Sequence, residues 1–136
     1  MSRYCLDTSA YSHFKRGDGQ VVELLDAAEW IGIPAIVFGE LWLGFLLGQR
    51  FEKNVSELQE FLGNPIVHEL EIDRDVARIY AEIVAALREE GTPLPTNDIW
   101  IAAAAARSGA TVVTYDGHFR DIQRVGSLVF SSEGPG

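Results

Sequence analysis

Five short runs rich in β-branched and apolar residues recur along the chain, at 3–6, 30–33, 66–72, 111–114 and 127–130, separated by segments with helical periodicity. Strands that alternate with helices predict a parallel sheet, because a parallel pair needs a long crossover and the helix supplies it. Across 136 residues no repeat, low-complexity tract or Pro/Gly/Ser linker interrupts this pattern. We therefore expect a single domain over 1–131 followed by a flexible tail over 132–136. A chain of this length buries about two-thirds of the surface it exposes when unfolded. Its core thus needs no disulfide or structural metal, and Cys5, the single cysteine, is read as a small buried hydrophobe.

The clearest helix is 73–90, where Val76, Ile79, Tyr80, Ile83, Val84 and Leu87 fall on one face. Arg and Glu fill the opposite face, and Gly91 with Pro93 and Pro95 ends the helix. A shorter helix is expected to open at Asn54 as N-cap, with Glu57 at its third position and Val55, Leu58, Phe61 and Leu62 toward the core. Residues 98–108 are apolar nearly all round, which predicts a helix buried against the sheet and capped by Gly109. A helix over 36–47 carries more apolar surface than one core face needs, which suggests self-association or a partner. Two further helices are expected after the first strand.

The charge balance is 11 Lys and Arg against 20 Asp and Glu, a formal net charge of −9. That field repels nucleic acid, so a phosphate-bearing substrate has to be met by bound cations or a local basic patch. No apolar run approaches the roughly 18 residues of a membrane span. No basic stretch followed by an apolar core opens the chain, and the expected location is the cytoplasm, with no membrane partner.

Four acidic residues stand where acids are rare. Asp7 ends the apolar run Tyr4-Cys5-Leu6, Glu40 sits inside the apolar stretch 36–43, Asp98 opens the apolar helix, and Asp116 follows the strand 111–114. In open parallel sheets ligands bind at the carboxyl ends of the strands. Asp7 and Asp116 are expected just past such ends, and Asp98 reaches the same edge from the start of its helix. Plainer readings exist for three of them: Asp98 and Asp7 as helix N-caps, and Asp116-Gly117 as a turn. Glu40 has the weakest such alternative, since a Glu on an apolar helix needs a cation or a hydrogen-bonding partner.

Clustered carboxylates without His or Cys are hard oxygen ligands, suited to Mg²⁺, with Mn²⁺ a second choice, rather than to zinc. Bound cations would also supply the positive field that the acidic chain lacks. His13, His68 and His118 show no metal-ligand spacing in the sequence. His68 reads as a structural strand residue, and His13 and His118 as surface or site-rim residues.

At these positions the chain resembles the PIN-domain ribonucleases, and within them the VapC-type toxins of type II toxin–antitoxin pairs. The resemblance spans nearly the whole chain. It rests on Leu6-Asp7-Thr8-Ser9, on Phe38-Gly39-Glu40-Leu41-Trp42-Leu43-Gly44, on Asn97-Asp98-Ile99-Trp100-Ile101-Ala102-Ala103, and on Val113-Thr114-Tyr115-Asp116-Gly117-His118-Phe119, in that order. The resemblance implies a PIN-like α/β/α sandwich with a central parallel β-sheet, and a metal-dependent endoribonuclease whose acidic positions are Asp7, Glu40, Asp98 and Asp116. It also implies that Thr8 and Thr114 steady the metal-bound water or a carboxylate, against an ordinary strand-end capping role. Further implications are a homodimer and a VapB-like antitoxin that wraps the toxin, an acidic toxin suiting a basic partner tail.

The mechanism expected from four carboxylates without a Ser/His or Cys/His set is hydrolysis of an RNA phosphodiester by metal-activated water, with no covalent intermediate. Asp7, Asp98 and Asp116 are the expected ligands, direct or through water, with Glu40 binding metal or positioning water. Lys15-Arg16 and Arg120 with Arg124 are the cations expected near the site edge, while Trp42, Trp100 and Phe45 are expected in core or subunit packing. Two other readings stand beside this one. A noncatalytic interaction module on the same fold is separated from it by metal binding and nuclease activity. A haloacid-dehalogenase-like, Mg²⁺-dependent phosphatase fits less well, because Ser9 stands where that chemistry needs a second Asp.

Overall fold

The computed structural model describes residues 2–131. The tail expected over 132–136 lies outside the described residues. Five parallel strands form one sheet in the order β3-β2-β1-β4-β5, with β1 (Arg3–Leu6) at the centre. From β1 the chain runs through α1 (Thr8–Lys15) and α2 (Gly19–Asp26) to β2 (Trp30–Pro34). It continues through α3 (Ala35–Leu47) and α4 (Phe51–Leu62) to the edge strand β3 (Val67–Leu70). Then α5 (Arg74–Glu90) and α6 (Thr96–Arg107) carry it back across the sheet to β4 (Thr111–Thr114), and a 3-10 helix (Gly117–Asp121) leads to β5 (Ser127–Val129).

This order follows from the sequence. Strands covered on both faces read as continuous apolar runs, and Cys5, Leu6, Ile31, Ile33, Val112 and Val113 are all buried. The edge strand β3 buries only Val67 among its first three residues, and His68 and Glu69 face water, which blunts the edge against pairing. With right-handed crossovers, the reversal at β1 puts the helices that follow β1 and β2 on one face and α5 with α6 on the other. The result is the three-layer α/β/α arrangement expected.

Most of the helix reading is borne out. Asp73 caps α5 by accepting the Val76 N–H at 2.9 Å, and Gly91 closes it in the left-handed conformation at φ +70°. Ile99, Ile101 and Ala102 to Ala105 of α6 are buried, and Gly109 follows its end at φ +65°. Trp100 stacks on Tyr80 of α5 at 3.8 Å, so it packs the two helices together.

Three expectations need correction. The helix expected to open at Asn54 begins at Phe51, with Arg50 at the cap and Asn54 inside its first turns. Glu57, expected in a capping box, instead pairs with Lys15 of α1 at 2.8 Å, so a tertiary ion pair takes the side chain that local capping would have used. The helix expected over 98–108 starts earlier, at Thr96, and Pro95 rather than Asp98 occupies its cap. The strand expected over 66–72 is trimmed to Val67–Leu70, the span that pairs with β2.

Between β2 and α3 there is no loop, since Pro34 both ends the strand and caps the helix. Glu40 therefore stands only about 9 Å along α3 from the sheet edge. Farther out, Trp42, Leu43, Leu46 and Leu47 are exposed, the apolar excess expected of this helix. Among the described residues no helix is long and apolar enough to cross a membrane.

Phe119, fully buried, pins the 3-10 helix to the core. Phe119→Ala should lower stability by roughly 3–5 kcal/mol, the cost of the lost burial and the cavity left behind, measured by urea denaturation.

Candidate functional site

The sheet reverses its direction of growth between β1 and β4, the place where open parallel sheets form a crevice. Asp7 follows β1 there and Thr114 ends β4. Asp7 is only 4% exposed, and both of its carboxylate oxygens are held. Oδ1 accepts the Ala10 N–H at 2.8 Å, which caps α1, and the Ser9 hydroxyl at 2.8 Å. Oδ2 accepts the Thr114 hydroxyl at 2.5 Å.

Each hydroxyl gives its proton to Asp7 and turns its lone pairs toward the chain beyond β4. Thr114 Oγ1 accepts the Asp116 N–H at 2.9 Å, and Ser9 Oγ accepts the Tyr115 N–H at 3.0 Å. This arrangement sets where Asp116 stands. Asp116 Oδ1 in turn accepts the His118 N–H at 2.9 Å and so caps the 3-10 helix. The plainer reading of Asp7 as an N-cap is thus correct, whereas Asp116, read plainly as a turn residue, caps the 3-10 helix, and both residues still face the same crevice.

Asp98 projects from the first turn of α6 with its side chain 17% exposed. Burial first, and then the like charges of Asp116, Asp7 and Glu40, push its carboxyl up to about 6, against a smaller opposing pull from His118. That three other carboxylates act on Asp98 means that all four share one field. Asp7 is also raised above the usual carboxylate range, because burial outweighs the bonds from Thr114, Ala10 and Ser9, with the Asp116 charge adding to it.

Glu40 closes the ring. Its Oε1 accepts the Thr8 hydroxyl at 2.6 Å and its Oε2 the Asn97 amide at 3.4 Å, so it spans the first residues of α1 and α6. Thr8 therefore serves Glu40 and Thr114 serves Asp7. The six residues singled out in the sequence, Asp7, Thr8, Glu40, Asp98, Thr114 and Asp116, come to one edge of the sheet.

Three neighbours were not singled out as site residues. Ser9 and Asn97 lie inside the quoted motifs, and a hydroxyl two residues past a strand-end Asp is a recognisable local turn signal. The third is His118, expected at the surface or the site rim and found at that rim. Taken as lacking metal-ligand spacing, it places Nδ1 3.1 Å from Asp116 Oδ1 and 3.8 Å from Asp98 Oδ2. Donor atoms of Asp98, Asp116 and His118 all lie within 4.8 Å of one another. The sequence hides this because Asp98 arrives from a different element. Of the other histidines, His13 pairs with Asp18 at 3.3 Å and stacks on Tyr115, and His68 stacks on Trp30.

Several expected cations are committed elsewhere. Lys15 pairs with Glu57, Arg124 with Glu82 at 3.5 Å and Arg107 with Asp75 at 3.5 Å, while Arg3 lies over Trp30 at 4.0 Å. Among the described residues Arg16, Arg50 and Arg120 have no ion pair. Arg16 is near enough to act on the Tyr115 hydroxyl, and Arg120 shares the 3-10 helix with His118.

Four carboxylates held mostly by neutral donors, with one imidazole beside them, are a set of groups that could hold a cation. Comparison with known proteins agrees with this chemistry. A family model described as PIN domain matches residues 4–125. The chain is 33% identical to "Ribonuclease VapC4" of Mycobacterium tuberculosis over 91 residues, 67% of this chain and 69% of that one. It is 28% identical to "Ribonuclease VapC5" of the same organism over 90% of both. Among solved structures, that of VapBC2 from Rickettsia felis bound to a promoter DNA fragment superimposes with a TM-score of 0.82 at 27% identity, over 95% of this chain and 99% of that one. The phosphatase reading gives way to these matches.

The raised carboxyl of Asp98 has a thermodynamic consequence. The folded protein holds that proton more tightly than the unfolded chain, whose ordinary value is 3.8. The group therefore contributes stability below about pH 4 that is lost as pH rises through about 6. In metal-free protein, Asp98→Asn should raise the unfolding temperature relative to wild type at pH 7, with the gap closing by about pH 4. Thermal unfolding in EDTA at both pH values checks this, and a variant less stable than wild type at pH 7 contradicts it.

Proposed function

The chain belongs to the PIN domain family, and from that premise we propose that it is a metal-dependent endoribonuclease, the toxin of a toxin–antitoxin pair. One observation carries this reading: Asp7, Glu40, Asp98 and Asp116 converge at the crevice of the sheet, and three of them act together on the fourth. Relatives of similar length named ribonucleases, and a structure named as a VapBC complex, support it.

The donor set fits a hard divalent cation, Mg²⁺ or Mn²⁺. Asp7, Asp98 and Asp116 would hold it directly or through water, with Glu40 beside them. When bound, the cation supplies an activated water and offsets charge on the phosphate. The residues of the chain do the rest. Thr114 and Ser9 fix both oxygens of Asp7, so that carboxylate cannot swing away. Thr8 and Asn97 hold Glu40 across the gap between two helices. Asp98 projects from the first turn of α6 toward the same crevice, where its carboxylate would reach the cation or a water bound to it. Arg120, on the same 3-10 helix as His118, can meet phosphates of the substrate strand, and Arg16, at the far end of α1, can meet them farther along it.

The exposed Trp42, Leu43, Leu46 and Leu47 of α3 give a second copy of the chain, or an antitoxin, an apolar surface to cover. A net charge of −9 favours a basic segment in that antitoxin. The cytoplasm is the location that goes with an RNA substrate.

Purified protein should cut end-labelled total RNA into discrete fragments with Mg²⁺ or Mn²⁺ and fail to do so in EDTA. Asp98→Asn and Asp7→Asn should each slow cleavage by about a hundredfold or more while circular dichroism shows the fold retained. Wild-type cleavage by folded Asp98→Asn would falsify the assignment.

A further inference from the structure

Resting on the reading of this site as metal-dependent, we propose that His118 is a nitrogen ligand that makes the site prefer Mn²⁺ over Mg²⁺. The first argument is distance. Donors around an octahedral ion at about 2.1 Å stand about 3.0 Å apart when adjacent and about 4.2 Å when opposed. His118 Nδ1 lies 3.1 Å from Asp116 Oδ1 and 3.8 Å from Asp98 Oδ2, and donor atoms of all three residues lie within 4.8 Å of one another, close enough for small side-chain rotations to bring them onto one ion.

The second argument is preorganisation. Asp116 and His118 are two residues apart on a single 3-10 helix that Asp116 itself caps and that fully buried Phe119 anchors. Gly117, between them, leaves the near side open apart from the flexible tip of Arg120. The imidazole is about half exposed, with room to turn its ring onto an ion. The third argument is exclusivity. His13 is occupied by Asp18 and Tyr115, and His68 by Trp30 on the far edge of the sheet, so His118 is the histidine that faces the carboxylates.

The chemistry follows from the donor. Mg²⁺ takes oxygen and keeps its waters, whereas imidazole nitrogen draws first-row transition ions, of which Mn²⁺ is the one that a set otherwise made of carboxylates also suits. One nitrogen among carboxylate oxygens therefore separates Mn²⁺ from Mg²⁺ where an all-oxygen set would not.

The test uses the full chain, stripped with EDTA and loaded with Mn²⁺, in wild type, His118→Ala and His118→Asp. Pulsed electron paramagnetic resonance should show ¹⁴N coupling from a directly bound imidazole in wild type and lose it in both variants. Calorimetric titration of His118→Ala should show Mn²⁺ affinity down about tenfold and Mg²⁺ affinity changed by less than about twofold. Mn²⁺ bound to wild type without nitrogen coupling would mean that His118 is only a counter-charge to Asp98 and Asp116, and overturns this proposal alone. Equal losses for Mn²⁺ and Mg²⁺ overturn it as well. A wild type that binds neither ion overturns the metal-dependent reading beneath it.

Discussion

The bond from the Thr114 hydroxyl to Asp7 holds the centre of this molecule together. It joins the end of β1 to the end of β4, the two strands between which the sheet changes direction. A buried carboxylate is tolerable only when its lone pairs are met, and Asp7 is met by two hydroxyls and a backbone N–H. Those same hydroxyls orient Tyr115 and Asp116 by accepting their N–H groups. Removing either hydroxyl would loosen a carboxylate and a backbone turn together, so fold and site share the same atoms.

Electrostatics opposes this arrangement. Burial and neighbouring carboxylates raise the proton affinity of Asp7 and Asp98, and the stabilising contacts to these two are mostly neutral. The rest of the core has to carry this strain, through the apolar α6 packed on α5 and the continuous apolar strands. A divalent cation relieves it. Ion binding at this site would therefore raise folding stability.

Much of this was legible in the sequence because the signals are local and contradict their surroundings. A parallel sheet reads directly from short apolar runs between helices. Asp7, Glu40, Asp98 and Asp116 stand out as acids in apolar context, a pattern that survives without knowing what touches what. What was hidden depends on tertiary contact. Asn54 has the chemistry of an N-cap, yet its helix starts earlier, at Phe51, and Glu57 is claimed by Lys15 from another helix. His118 looks like a surface histidine until α6 brings Asp98 beside it. Lys15 and Arg124 look like phosphate binders until their acidic partners are seen.

The Thr114–Asp7 bond spans 107 positions of sequence, and the carboxylates it organises come from both ends of the chain. A ribosome must therefore release β4 before the cluster can exist in any form. No amino-terminal fragment carries a weaker version of it, since Asp98 and Asp116 are still missing or undocked. A nick anywhere between α2 and β4 that let the two pieces part would leave no residual centre.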